Sequence, residues 1–261
     1  MQSNSFYKFH GTGNDFIIID NRQGLSFSKA QIEAWCRRRT GIGSDGFILL
    51  EESSDADFRM RYFNADGGEA SLCGNGSRCA VAFAHFLGII EKQALFSAFD
   101  GLHKAEVIEH ADYEWLISLE MNSNLRIATF EDGYFTDTGS PHFIRFVDDL
   151  ENIDLLNEGR KIRHDSRFPE GCNANFVKIN PDHIEVRTFE RGVEDETLSC
   201  GTGVTASAIV LSIQNNFSDG NHVIPIRTKG GNLQVKYTKK GSTFSNLYLQ
   251  GPAVMAFLGK V

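Results

Sequence analysis

The sequence predicts a mixed α/β protein of two pseudo-symmetric domains, each a curved, barrel-like sheet around one central buried helix. Three observations carry this. First, residues 75–87 and 203–214 read as helices without a polar face. One holds Cys79, Ala80, Val81, Ala82, Phe83, Ala84, Phe86 and Leu87; the other holds Val204, Ala206, Ala208, Ile209, Val210, Leu211 and Ile213. A helix apolar nearly all round has to be enclosed on all sides. Second, most other segments alternate like half-buried strands, and no regular strand-helix succession suggests a doubly wound parallel sheet. Third, the chain repeats itself in order. Asn14 matches Ser140, Gly46-Phe47-Ile48 matches Asn175-Phe176-Val177, Phe63 matches Phe189, Cys73 matches Cys200 and Gly101 matches Gly231, at separations of 126 to 130 positions. The expected domains are residues 1–125 and 126–261, with the boundary near 122–132.

The elements follow in order. Residues 6–10 and 16–20 read as strands joined by the turn sequence Gly11-Thr12-Gly13-Asn14. Ser28 with Gln31 three positions later forms a capping box that opens a helix running to about Arg39. Arg37, Arg38 and Arg39 then sit at a helix end that suits positive charge. Residues 41–46 form a loop, and 47–51 and 58–64 form strands. Gly88 stops the first buried helix. Residues 106–109, 114–121, 222–228, 233–238 and 245–250 complete the strands.

Bulk properties narrow the function. The 261 residues carry a formal charge of −8, which argues against nucleic acid, whose binding relies on Lys and Arg. No apolar run approaches the roughly 18 residues of a membrane span, and the first residues lack the pattern of a signal peptide. The expectation is a cytoplasmic protein with no membrane partner. Five cysteines, an odd and sparse count, do not form a disulfide framework. The sequence does not fix the oligomeric state; a homodimer is one expectation.

Two stretches concentrate the chemistry. Residues 63–76 and 189–203 each run from Phe through an acidic, Gly-containing loop to Leu (Leu72 and Leu198), then Cys-Gly-x-Gly. A thiol at a helix N-terminus meets free backbone N–H groups and a partial positive charge, which lower its pKa. The following glycines let a ligand approach the backbone, and the N–H groups suit a carboxylate. A single small buried Cys at a helix start is more often structural; two at equivalent positions of a repeat shift the balance. A thiol hydrolase needs one cysteine with a His base. A disulfide oxidoreductase usually spaces two as Cys-x-x-Cys. Zinc wants about four ligands, and no His/Cys cluster supplies them, so no metal is expected. Inversion of a stereocentre needs a base on one face of a carbon and an acid on the other, which a pseudo-twofold pair of thiols provides.

The motifs His10-Gly11-Thr12-Gly13-Asn14-Asp15-Phe16, Phe63-Asn64-Ala65-Asp66-Gly67, Cys73-Gly74-Asn75-Gly76-Ser77-Arg78-Cys79, Gly139-Ser140-Pro141-His142, Asn173-Ala174-Asn175-Phe176 and Glu190-Arg191-Gly192 through Cys200-Gly201-Thr202-Gly203 closely resemble the diaminopimelate epimerases. The resemblance spans nearly the whole chain. It implies a cofactor-independent isomerase that interconverts LL- and meso-2,6-diaminopimelate, on the route to lysine and peptidoglycan, in a cleft between two domains. It implies Cys73 and Cys200 as the base/acid pair, and His142 and Glu190 as residues that tune them. It implies substrate contacts from Asn14, Asn64, Gly74, Asn75, Asn173, Glu190, Arg191, Gly201 and Thr202, with Arg191 suited to a second carboxylate. Two departures bear on the substrate pocket: many family members carry Gln where this chain has Gly46, and Asn where it has Ser140. A relative acting on another amino acid, a non-catalytic amino-acid binding protein, and a thiol hydrolase using Cys73 with His142 are the competing readings.

Overall fold

A computed structural model describes residues 5–70 and 73–261; Leu72 of the first cysteine motif lies outside the described residues. The chain divides into two units, Met1–Leu119 with Gly251–Val261, and Glu120–Gln250. The first holds β1 (Ser5–Gly11), β2 (Asn14–Asp20), α1 (Lys29–Cys36), β3 (Gly46–Glu51), β4 (Phe58–Asn64), α2 (Gly74–Phe86), β5 (Gln93–Ala98), β6 (Gly101–Ala111) and β7 (Glu114–Glu120). The second holds β8 (Ala128–Phe130), β9 (Gly133–Asp137), β10 (Pro141–Phe146), α3 (Leu155–Arg163), β11 (Asn173–Ile179), β12 (Ile184–Glu190), β13 (Asp195–Thr197), α4 (Gly201–Gln214), β14 (Gly220–Thr228) and β15 (Gly231–Lys240). The long β16 (Thr243–Lys260) begins in the second unit and ends in the first. The expected ranges 1–125 and 126–261 follow the repeat rather than this division by contacts.

The duplication is legible in the strand pairing. From β1 to β7, neighbours pair antiparallel, parallel, antiparallel, parallel, antiparallel and antiparallel. The series β9, β10, β11, β12, β14, β15, β16 repeats that order without change. Helices α1 and α3 each follow the second strand of their series, and α2 and α4 each follow the fourth. In the first unit, β1 pairs with the end of β16, which also neighbours β7, so the sheet closes on itself. Closure removes the sheet edge.

Register corrects one sequence match. Phe16 pairs with Gly46 and Ile48 with Tyr62 in the first unit; His142 pairs with Asn173 and Asn175 with Thr188 in the second. The equivalent positions are therefore Phe16 and His142, Gly46 and Asn173, Ile48 and Asn175, Tyr62 and Thr188, and Asn64 and Glu190. Gly46 corresponds to Asn173, not to Asn175. A two-residue slip leaves every side chain on the same face of a strand, so alternation of apolar and polar residues cannot detect it.

Both central helices are enclosed. Every residue of α2 from Gly74 to Ala84 is buried, as are Gly201 and Gly203 to Ser212 of α4. Hydroxyls in these helices are satisfied by their own backbone: Ser77 Oγ donates to Cys73 O (3.0 Å), Thr205 Oγ1 to Gly201 O (2.9 Å) and Ser207 Oγ to Gly203 O (2.8 Å). Around α1 the capping box of Ser28 and Gln31 forms, but the helix stops at Cys36, earlier than Arg39. Arg37 becomes the C-cap, and Arg38 turns away to bind Asp15 and Asp45 at 2.6 and 2.7 Å. Those ion pairs, rather than a helix dipole, hold Arg38. The sequence reading assigns no helix to α3, which buries only Leu155, Gly159 and Ile162 and has charged residues over much of its surface.

Candidate active site

The two cysteine motifs begin their helices in the same way. Cys73 is the N-cap of α2 (φ −108°, ψ 117°) and Cys200 the N-cap of α4 (φ −120°, ψ 111°). In neither case does the side chain cap its own helix. Gly74, Asn75, Gly201 and Thr202 occupy the first helical positions, where backbone N–H groups have no partner inside the helix.

Around Cys73, Asn14 at the start of β2 places its Oδ1 3.6 Å from the sulfur. The orientation of that amide is set from two sides: Asn14 Nδ2 donates to the Asp45 carboxylate (2.9 Å), and Asn14 Oδ1 accepts from Asn75 Nδ2 (3.3 Å). Asp45 is in turn held by Arg38, which also binds Asp15. Burial works against the charge of Asp15, but hydrogen bonds from Arg38 and Lys8 hold its pKa down at about 2. Beneath the first turn lies Arg78, fully buried. It donates to Asn75 Oδ1 (2.9 Å), Thr12 Oγ1 (3.3 Å), Pro252 O (3.3 Å) and Gly74 O (3.4 Å). Among the described residues no carboxylate pairs with it, so a positive charge sits behind the α2 N-terminus.

Around Cys200 the partners are hydroxyls and an imidazole. Thr202 Oγ1 lies 3.4 Å from the sulfur, 2.8 Å from His142 Nε2 and 3.1 Å from Ser140 Oγ. His142 on β10 is fully buried, and its Nδ1 is 3.1 Å from Asn175 Nδ2. Burial first, and the Arg191 charge second, push the imidazole pKa down to about 3. His142 is therefore neutral at physiological pH. Asn175 has no freedom to flip: its Nδ2 also donates to Phe143 O (3.0 Å) and its Oδ1 accepts from Thr188 Oγ1 (2.9 Å). His142 Nδ1 is consequently an acceptor, and its proton is on Nε2, facing Thr202 and Ser140.

The remaining expected residues fall at strand ends. Asn173 opens β11 and donates to Pro141 O (2.9 Å) and Ser140 Oγ (3.3 Å), while its Oδ1 accepts the backbone N–H of Arg191 (2.9 Å). Arg191 donates to Glu170 O (3.3 Å). Glu190 and Asn64 end β12 and β4 respectively, at equivalent positions of the two sheets. Asn64 is exposed, and its backbone closes the turn with Gly67 and Gly68. In the first unit the structure thus joins Asn14, Cys73, Gly74 and Asn75 in one cluster, with Asn64 outside it. In the second it joins His142, Asn173, Arg191, Cys200 and Thr202.

The two departures have structural accounts. A Cβ on Gly46 would lie 2.5 Å from Tyr62 Cε2 and 3.1 Å from its hydroxyl, so the Tyr62 ring occupies the space a longer side chain would need. Ser140 is short but engaged, bonding to His142, Thr202 and Asn173. The other three cysteines are buried. Burial raises the pKa of Cys36 and Cys79, and pushes Cys172 up to about 12. The sequence reading misses Asp45, Arg78, Asn175 and Thr188. Asn175 had a usable signal, since it stands two residues from Asn173 and so shares its strand face.

Comparison with solved structures gives the class. The chain is similar to a phenazine biosynthesis protein of the PhzF family from Bacillus anthracis, with TM-score 0.80, 17% identity and coverage of 100% of this chain and 99% of that one. It is also similar to a hydroxyproline epimerase from Agrobacterium vitis, with TM-score 0.71, 14% identity and coverage of 100% and 91%. At these identities the likeness defines the fold, that of two pseudo-symmetric α/β domains. Sequence comparison is narrower. The family model described as diaminopimelate epimerase matches residues 6–120 and 134–256. A diaminopimelate epimerase from Flavobacterium psychrophilum is 48% identical over 257 residues, covering 96% of this chain and 97% of that protein. One from Chlorobaculum tepidum is 45% identical over 265 residues, covering 96% and 98%. The chain belongs to the diaminopimelate epimerase family, and with it to the isomerases. No helix among the described residues is long and apolar enough to cross a membrane.

Proposed function

We propose that this protein interconverts LL- and meso-2,6-diaminopimelate by proton transfer at one α-carbon between two thiols, Cys73 and Cys200. The supporting observation is that each unit of the duplicated fold starts its buried helix on a cysteine N-cap, in a chain whose family match spans both halves. One sulfur, as thiolate, takes the α-hydrogen as a proton. The opposite thiol returns a proton to the other face, and the two exchange protonation states. The backbone N–H groups of Gly74, Asn75, Gly201 and Thr202 hold the reacting carboxylate as charge builds on it. One preorganised donor of this kind is worth about 3–4 kcal/mol in comparable sites. Asn14, Asn64, Asn173, Glu190 and Arg191 bind the remainder of the substrate, Arg191 facing its distal carboxylate, and His142 and Glu190 tune the cysteine pair.

The test is to supply LL-diaminopimelate in deuterated water. The expected result is meso product carrying deuterium at one α-carbon. Binding without exchange would overturn the proposal in favour of a non-catalytic protein. Cys73→Ser and Cys200→Ser should each lower turnover by orders of magnitude with the fold intact; near-full turnover in either would exclude the two-base scheme.

A further inference from the structure

Strand pairing sets three positions side by side at one end of the first sheet. Asn14 begins β2, Gly46 begins β3 and Asn64 ends β4; Phe16 pairs with Gly46, and Gly46 with Asn64. Residues two apart on a strand share a face, so Asn14 with Phe16, Gly46 with Ile48, and Asn64 with Tyr62 look to one side. That side is the one α2 covers, because a Cβ on Gly76 would meet Ile48 at 3.2 Å, Met60 at 3.3 Å and Phe16 at 3.5 Å. Cys73 caps the same helix, and its sulfur lies 3.6 Å from Asn14 Oδ1. Of the three end positions, the middle one has no side chain, and Tyr62 fills its place. Tyr62 is rooted opposite Ile48, further into the sheet. Its ring leans back towards the sheet end, so that Cε2 and the hydroxyl lie 2.5 and 3.1 Å from where a Cβ on Gly46 would stand. The ring edge packs on Phe16, with centroids 6.1 Å apart and planes at 75°. The side chain is half-buried. Its apolar ring is anchored, and its polar tip is carried over Gly46 on the strand between those of Asn14 and Asn64.

We infer that Tyr62 is a further substrate-binding and specificity-determining residue, its hydroxyl supplying to a charged end of the substrate the polar contact that Gly46 cannot. The inference rests on the functional reading above, in which Asn14 and Asn64 bind the substrate. Many family members carry Gln at position 46, and a Gln there excludes this ring, since its Cβ alone would crowd Tyr62 Cε2. The pairing of Gly46 with Tyr62 therefore keeps a hydrogen-bonding group at this place but brings it from β4 instead of β3. A phenol hydroxyl donates and accepts at once, so it serves a ligand while also holding a protein neighbour. A ring fixed on Phe16 has fewer torsions left to freeze than a glutamine chain, so its tip is ready-placed. The equivalent position in the second unit is Thr188, whose hydroxyl is turned across the strand pair to Asn175 Oδ1 (2.9 Å). Ile48, opposite Tyr62, carries no acceptor, and the longer Tyr62 side chain reaches along the sheet to the site instead.

The test is steady-state kinetics on LL-diaminopimelate, with a urea midpoint for each protein, comparing wild type, Tyr62→Phe, Tyr62→Ala and Tyr62→Ala combined with Gly46→Gln. Tyr62→Phe keeps the ring and removes only the hydroxyl. Its urea midpoint should stay close to wild type. Its KM should rise roughly 10- to 100-fold, as for loss of one hydrogen bond to a charged group, with a smaller change in kcat. Tyr62→Ala should lose at least as much, and adding Gly46→Gln to it should recover about tenfold in kcat/KM, because an amide returns to the vacated place. An unchanged KM in Tyr62→Phe overturns the inference. So does a kcat loss that tracks a fallen urea midpoint at constant KM, which would make Tyr62 a packing residue only. A folded double variant without recovery overturns it as well, since the place over Gly46 would then not be where the substrate is met. Deuterium exchange by the wild-type protein is measured alongside. No exchange removes the functional reading and this inference with it; exchange with an unaltered Tyr62→Phe removes this inference alone.

Discussion

The second glycine of each Cys-Gly-x-Gly motif offers a direct measure of how far the two halves have diverged. Replacing either by alanine gains about 1 kcal/mol of helix propensity. At Gly76 the new Cβ would meet Ile48 Cδ1 at 3.2 Å, Met60 Cε at 3.3 Å and Phe16 Cε1 at 3.5 Å. Two of these are the ends of flexible chains, which can give by a few tenths of an ångström. At Gly203 it would overlap Asn175 Oδ1 and lie 3.2 Å from His142 Cε1. Asn175 cannot retreat without stretching its bonds from Thr188 and to Phe143. Overpacking of this kind costs about 1–3 kcal/mol, and a buried polar group left without its partner costs about 1–3 kcal/mol more. After the propensity gain, Gly203→Ala should destabilise by roughly 1–5 kcal/mol, and by more than Gly76→Ala, which should fall within about 1 kcal/mol of wild type. Urea denaturation of both variants measures the difference as a shift in midpoint at constant slope. Equal midpoints for the two variants, or a neutral Gly203→Ala, would refute the packing argument and the rigid Asn175 on which it depends.

Gly46→Gln should lower stability by about 1–3 kcal/mol by overpacking against the Tyr62 ring, and Tyr62→Ala in the same chain should recover part of it; thermal melts of the single and double variants check this. The imidazole of His142 has its pKa depressed from 6.5 to about 3 in the folded protein. The unfolded chain therefore binds the extra proton between those values. His142 penalises the folded state as pH falls from 6.5 towards 3, with a slope of up to about 1.4 kcal/mol per pH unit, and costs nothing above 6.5. Urea midpoints measured from pH 7 to 4 should show this slope in wild type and a shallower one in His142→Gln. Asp45→Asn removes the carboxylate that orients Asn14, so KM for diaminopimelate should rise severalfold with a smaller change in kcat; an unchanged KM would separate Asn14 from substrate binding.

Much of the fold was legible because burial writes itself into composition. The continuous apolar runs of α2 and α4 left only one reading, an enclosed helix, and cysteine followed by paired glycines marked where each begins. What escaped had weaker local signals. The α3 helix buries only Leu155, Gly159 and Ile162, so its apolar stripe holds just two side chains and is easily passed over among the charges around it. Tyr62 gave no hint from sequence that its ring lies where Gly46 has no side chain, since that contact is made across a pair of strands. Asn175 and Thr188 read as ordinary strand residues, because a buried relay is defined by donor and acceptor directions rather than by residue pattern. Arg78 sat inside an apparently apolar helix and was visible only as a motif letter. Its burial is sustained by four oxygen acceptors, two of them backbone carbonyls that no sequence pattern can encode.

Comparing equivalent positions shows what duplication preserved and what it released. The strand order, the helix starts and the carbonyl at the first helical residue are common to both halves. Even so, Gly74 O is satisfied by Arg78, and Gly201 O by Thr205, each five positions after its motif cysteine. Phe16, Ile48 and Tyr62 in one sheet correspond to His142, Asn175 and Thr188 in the other. An apolar packing layer in the first unit has thus become a directed chain of hydrogen bonds in the second. The backbone geometry of both sites survives this exchange because strand register, not side-chain chemistry, fixes where these residues point.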